Sequence, residues 1–167
     1  MSALWLPVAV AAAVGLQTTL DRWLPSGAVD LPLVVVVYAA LGAGRVTGLL
    51  AGSFAGLVQD ALSGGVVGIG GLSKTIVGFL TGVLGTQFIV AHSLSRFVVF
   101  FLATLLNAVI FMGLYHLLGL REFSEPVTTI AGQAFGNSVV GVLVFRLAEL
   151  RPGAVEHRRM SRSEFRR

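Results

Sequence analysis

Apolar residues occur along the chain in six blocks, which short polar, glycine or proline segments separate. A membrane-spanning helix needs about 20 mostly apolar residues, and several such blocks with short separators are typical of a multi-pass membrane protein. The second block is the shortest, but Asp30 as N-cap and Pro32 in the first turn mark its start. The pattern predicts helices at 3–20, 31–44, 46–63, 71–90, 95–119 and 127–148.

The composition supports a membrane protein. Apolar residues make up 55% of the 167 positions and charged residues only 12%, which is too apolar for an ordinary soluble domain. Six spans use most of the chain and leave no length for a soluble catalytic domain. We therefore expect an all-α integral membrane protein, with one compact bundle of six transmembrane helices over 1–150 and a basic cytoplasmic tail over 151–167.

The positive charge of the chain lies in this tail. Residues 151–167 contain six arginines and two glutamates, which accounts for the whole formal net charge of +4. Because basic flanks stay on the cytoplasmic side, the tail is placed inside, and six helices place the N-terminus there too. Asp30 and Asp60 then fall near the outer surface. The tail predicts attraction to anionic membrane lipids and is too short to predict nucleic-acid binding.

Small residues recur at spacings of four and form faces on the predicted helices. Gly48, Gly52 and Gly56 share one face of the third helix, and Ala9 and Ala13 share one face of the first. Helices in lipid associate through close backbone approach at such faces. These residues serve either packing within the bundle or contact with a partner's helix, and a second copy of the chain is one candidate partner.

Two charged residues lie inside predicted spans. Asp60 continues the Gly48–Gly52–Gly56 face, and Lys74 lies on the glycine face of the next helix, at a similar depth. An isolated charge in a membrane helix costs roughly 3 kcal/mol or more, and pairing lowers that cost. We expect Asp60 and Lys74 to interact directly or through water. Alternatively, each extends to the membrane interface as a helix-end charge.

Other polar residues in the predicted spans also need partners. They either form hydrogen bonds between helices or line a ligand pocket, and they are Gln17, Tyr38, Gln59, Asn107, His116, Gln133 and Asn137. The patterns of zinc sites, serine nucleophiles and phosphate loops are missing from the sequence, and it contains no cysteine. We therefore predict no catalytic, cofactor-binding or metal-binding residues.

The run GLLAGSFAGLVQDALSGGVVGIGGLSKTIVGFLTG, from Gly48 to Gly82, closely resembles the rod shape-determining MreD family of bacteria. Asp30-Leu31-Pro32, followed by an apolar run to Tyr38, is similar to that family's second helix. The resemblance implies a small, non-catalytic inner-membrane subunit of the cell-elongation machinery. It also implies a fold similar to the S-components of energy-coupling-factor transporters, with six helices around a central cavity.

The partners follow from the same resemblance. Family members associate with the single-span protein MreC, and through it with MreB filaments, a SEDS glycosyltransferase and a class B penicillin-binding transpeptidase. The alternative function is a substrate-binding S-component of a vitamin uptake transporter. Because the outer loops are short, we expect any cavity to be apolar and filled by lipid or a partner helix. An enzyme of lipid-carrier metabolism is disfavoured because no acidic pair lies within one span.

Overall fold

The computed structural model describes residues 5–23, 28–64, 66–87, 92–120 and 126–150. Within these ranges the chain forms six α-helices and no strand. The helices are α1 (Trp5–Leu20), α2 (Leu31–Ala43), α3 (Arg45–Ser63), α4 (Ile69–Gln87), α5 (Ser93–Leu117) and α6 (Pro126–Glu149). All six predicted helices are confirmed, and the tail over 151–167 lies outside the described residues.

The shortest helix, α2, lies at the centre of the fold and contacts each of the other five helices. Seven of its 13 residues are buried, which explains why it is apolar on all sides rather than on one face. Asp30 caps its first turn by accepting a hydrogen bond from the Leu33 N–H at 3.1 Å. Gly44, with φ of 86°, ends α2 and lets the chain enter α3 directly.

The hairpin of α3 and α4 is the most closely packed helix pair. A Cβ atom at Gly52 would lie 2.8 Å from the Thr75 Cα, and one at Gly48 would lie 2.8 Å from the Gly78 carbonyl carbon. Gly56 approaches the start of α4 in the same way. Packing within the bundle therefore accounts for these three glycines, because α4 fills the face that a partner helix would need.

The small face of α1 is also turned mainly inward. Ala13 is buried and Ala9 is half-buried, while Val10 and Val14 pack against Val36 and other residues of α2 and α3. The opposite side of α1 is exposed around Gly15, where an added methyl group would meet no other atom within 4 Å. Within α1, this outward side is therefore the one that is open to another helix.

Among the described residues, three helices are long and apolar enough to cross a membrane, namely those at Ile69–Gln87, Ser93–Leu117 and Val127–Glu149. Helices α1 and α2 are apolar but shorter. Large apolar side chains are exposed on α1, α3, α4, α5 and α6, as expected for a surface that faces lipid. The all-helical membrane fold is thus confirmed, and six crossings stay a prediction.

Candidate functional site: a polar cavity between helix ends

A buried ion pair joins α2 and α4. The Lys74 Nζ lies 2.7 Å from the Asp30 Oδ2, and the two side chains are only 4% and 7% exposed. The backbone N–H of Asp30 also donates to the Asn137 Oδ1 of α6 at 2.7 Å. Asp30 therefore links three helices, whereas the sequence identified it only as a helix cap.

Asp60 has a different role from the one predicted. Its Oδ2 accepts hydrogen bonds from the backbone N–H groups of Gly68 at 2.9 Å and Gly71 at 3.1 Å, so it caps α4 from the end of α3. The direct partner of Lys74 is Asp30, so the direct form of the predicted Asp60–Lys74 pair is wrong, and an interaction through water stays a prediction. The N–H groups at the start of α4 have no acceptor within the helix, so they are free to bind the nearby Asp60 carboxylate. The longer Lys74 side chain reaches the start of the central helix α2 instead.

Further hydrogen bonds extend this network across the bundle. The Asn137 Nδ2 donates to the Thr104 Oγ1 at 3.1 Å, and the Ser73 hydroxyl donates to the Asn107 Oδ1 at 3.1 Å. The Gln17 side chain donates to the Val29 carbonyl and accepts from the Leu31 N–H. Interhelical hydrogen bonding thus accounts for Gln17 and Asn137.

Four members of this network, Asp30, Asp60, Lys74 and Asn107, line a cavity of about 300 Å³. It lies at the end of the bundle where α1, α3 and α5 finish and α2, α4 and α6 begin. We call it the polar cavity, and its lining residues are Asp30, Gln59, Asp60, Ser63, Gly70, Lys74, Asn107, Ala108, Phe111, Met112, Tyr115, Thr129, Ile130 and Gln133. Most of the cavity wall is apolar, as expected, but polar side chains of α3, α4, α5 and α6, and that of Asp30 just before α2, also reach it.

One polar atom at the polar cavity has no partner among the described residues. The Gln59 Oε1 is buried and forms no hydrogen bond, although buried acceptors in proteins are nearly always paired. The sequence identified Gln59, Asn107 and Gln133 as polar residues within spans. It could not show that they share one cavity, since they lie on three different helices.

The opposite end of the bundle holds a second cluster. Arg96 pairs with Glu149 at 2.7 Å, and its guanidinium carbon lies 4.4 Å from the centre of the Phe145 ring. Tyr38 packs between Trp5 and Phe145, with ring-centre distances of 6.5 and 4.5 Å. Tyr38 is therefore a packing residue, while His116 is exposed at the end of α5.

The described residues contain no group of three or more His, Cys, Asp or Glu side chains that could hold a metal ion. Both carboxylates at the polar cavity accept backbone hydrogen bonds that cap helices, Asp30 for α2 and Asp60 for α4. The arrangement is therefore suited to holding helices in register and to hydrogen bonding within the cavity.

Comparison with known proteins identifies the family. No curated protein and no solved structure matches the chain. The family model described as rod shape-determining protein MreD matches residues 4–149, which include all six helices and not only the run from Gly48 to Gly82. The chain therefore belongs to the MreD family of rod shape-determining proteins.

Proposed function

We propose that this chain is a non-catalytic membrane subunit of the bacterial cell-elongation machinery, which binds the transmembrane helix of MreC and helps to organise peptidoglycan synthases. The match of the MreD family model over 4–149 carries the proposal. Membership of the family suggests a role in rod shape determination and involvement in the shape-determining complex. MreB filaments, the SEDS glycosyltransferase and the class B transpeptidase are reached indirectly, through MreC.

A shape assay tests this role directly. In a rod-shaped bacterium that depends on this chain, depletion should produce round cells, and expression from a plasmid should restore rods. A stably expressed Asp60→Ala variant that still supports cell-wall synthesis would agree with a non-catalytic role. Rod shape that persists after complete depletion would contradict the proposal.

The proposed topology has six crossings, with both termini in the cytoplasm. Its support is the charge distribution: Asp30 and Asp60 lie at the end of the bundle that holds the polar cavity, while Arg45, Arg96 and Arg146 lie at the other end. The chain contains no cysteine, so single cysteines can be introduced without a background.

Labelling of intact cells with a membrane-impermeant maleimide tests this topology. Ser63 and Ser95 are both exposed, at the end of α3 and the start of α5. We expect Ser63→Cys to be labelled from outside and Ser95→Cys to be labelled only after the membrane is permeabilised. The reverse pattern would contradict the proposed orientation.

The helix of MreC is proposed to pack on the outward side of α1. The α3 glycines are covered by α4 and Ala13 is buried, whereas Ala11 and Gly15 are exposed one turn apart. A Gly15→Leu variant should therefore lose MreC on co-purification in mild detergent. Gly113→Leu, at a glycine of α5 that also has open space around it, is the matched control and should retain MreC. Equal recovery with both variants would exclude this side of α1.

The alternative, a substrate-binding subunit of a vitamin transporter, has one observation in its favour. The polar cavity gathers hydrogen-bonding groups and aromatic rings at one end of the bundle, which is the arrangement that a small-molecule binder needs. Mass spectrometry of protein purified from its native membrane separates the two functions. A stoichiometric vitamin together with a transport module would support uptake, and recovery of MreC would support the scaffold.

A further inference from the structure

We propose that the polar cavity binds a neutral sugar or sugar-like polyol, supplied either free or as a lipid headgroup. This inference does not depend on the scaffold proposal, because binding in the cavity leaves the outward side of α1 open. The volume of about 300 Å³ lies at the lower end of the range for ligand pockets and equals the share of about ten water molecules in the liquid. A single sugar ring fits that size class.

The first argument is unused hydrogen-bonding capacity. The Lys74 ammonium has three N–H donors, and the described residues supply one acceptor, the Asp30 Oδ2. The side-chain amide of Gln133 lines the cavity, is half-buried and forms no hydrogen bond with the described residues, so its carbonyl oxygen is an available acceptor. The Asn107 Oδ1 accepts from Ser73, which leaves its amide N–H groups for the cavity. Donors and acceptors are therefore both available, and a hydroxyl group can pair with either kind.

The second argument is charge. Lys74 neutralises Asp30, and the carboxylate of Asp60 faces two backbone N–H groups at the positive end of α4. A bound anion would meet both carboxylates, and a bound cation would meet the Lys74 ammonium. The charges at the polar cavity are thus already paired, which favours an uncharged ligand.

The third argument is the apolar part of the wall. Phe111 and Tyr115 lie side by side, with ring centres 4.8 Å apart, and Met112 and Ile130 add further apolar surface. A sugar ring combines hydroxyl edges with faces of C–H groups, so it can contact the aromatic rings and the amide and lysine groups together. A plain alkyl chain would offer no hydrogen-bond partner to the Gln133 amide or to the remaining N–H groups of Lys74.

Binding measurements in two arms test the proposal. The purified chain is placed in phosphatidylcholine nanodiscs, after solubilisation in a detergent without a sugar headgroup. In the first arm, methyl β-D-glucoside is titrated by calorimetry. In the second, nanodiscs contain glucosyl diacylglycerol or diacylglycerol, and retained lipid is measured by native mass spectrometry. Saturable binding in the first arm indicates a free sugar, and selective retention in the second indicates a lipid headgroup.

Variants link the binding to the polar cavity. Gln59→Leu and Gln133→Leu should each weaken binding by about tenfold, the usual effect of losing one hydrogen bond from a buried site. Gln87→Leu is the matched control, because Gln87 is exposed at the far end of α4, and it should leave binding unchanged. No saturable binding in either arm would overturn the proposal. Binding that both cavity variants leave unaltered would overturn it as well.

Discussion

Replacement of Gly52 by alanine should destabilise the protein, although alanine favours helices more than glycine does. The added Cβ would lie 2.8 Å from the Thr75 Cα and 2.5 Å from the Lys74 carbonyl carbon, whereas ordinary contacts begin at 3.4 Å. These are backbone atoms, so no rotamer change relieves the overlap and α3 must move away from α4. Overpacking of this kind costs about 1–3 kcal/mol, against a gain in helix propensity of at most about 1 kcal/mol. We expect a net loss of about 1–2 kcal/mol.

The measurement is the free energy of unfolding of purified protein in micelles, followed by circular dichroism during denaturant titration. Gly15→Ala and Gly113→Ala are matched controls, because neither glycine has another atom within 4 Å of its Cβ position. Without overlap, each control should be neutral or more stable by about 0.5–1 kcal/mol. If Gly52→Ala is tolerated as well as the controls, the close α3–α4 contact is not what stabilises this hairpin.

Four further predictions concern the two ion pairs and two buried amides, and each is checked by the same unfolding measurement. Lys74→Met and Asp30→Asn should each lower the free energy of unfolding by about 3 kcal/mol, because each leaves a buried charge unpaired. The double variant should lose clearly less than the sum of the two single losses. Additive losses would contradict the buried pair. Asn137→Leu should cost about 2 kcal/mol, since the buried Asp30 N–H loses its acceptor. Gln59→Leu should raise the free energy of unfolding by about 1 kcal/mol, because it removes an unpaired buried acceptor. A lower free energy of unfolding would indicate that the Gln59 Oε1 does have a hydrogen-bond partner. Glu149→Gln should cost less than about 1 kcal/mol, because its side chain is 43% exposed.

The helices could be predicted from the sequence because their signals are local. Asp30 and Pro32 mark the start of α2 through a side-chain cap and a residue that needs no helical N–H bond. Gly64, with φ of 65°, ends α3 where the Gly64–Gly65 pair stands in the sequence. Each signal acts within one helical turn, so it can be recognised without knowledge of the fold.

The partners of the polar side chains could not be predicted in the same way. Asp60 and Lys74 share a hairpin and a depth, which made their pairing the obvious expectation. Asp30 belongs to another helix, 44 residues before Lys74, and its distance from Lys74 depends on where α2 lies. The signal that the sequence did carry was depth, since the predicted topology places Asp30, Asp60 and Lys74 near the same surface.

The sequence by itself determined the six helices, the family resemblance and the concentration of charge in the tail, because periodicity, caps and composition are properties of neighbouring residues. The tertiary structure alone decided that short α2 is the central helix, that Gly48, Gly52 and Gly56 pack against α4, and that Lys74 pairs with Asp30. It also decided that Gln59 and other polar residues of separate helices share one cavity. These outcomes depend on which helix faces meet. In lipid, apolar surface discriminates only weakly between helices, so close backbone contact and buried polar pairs determine which faces pack together.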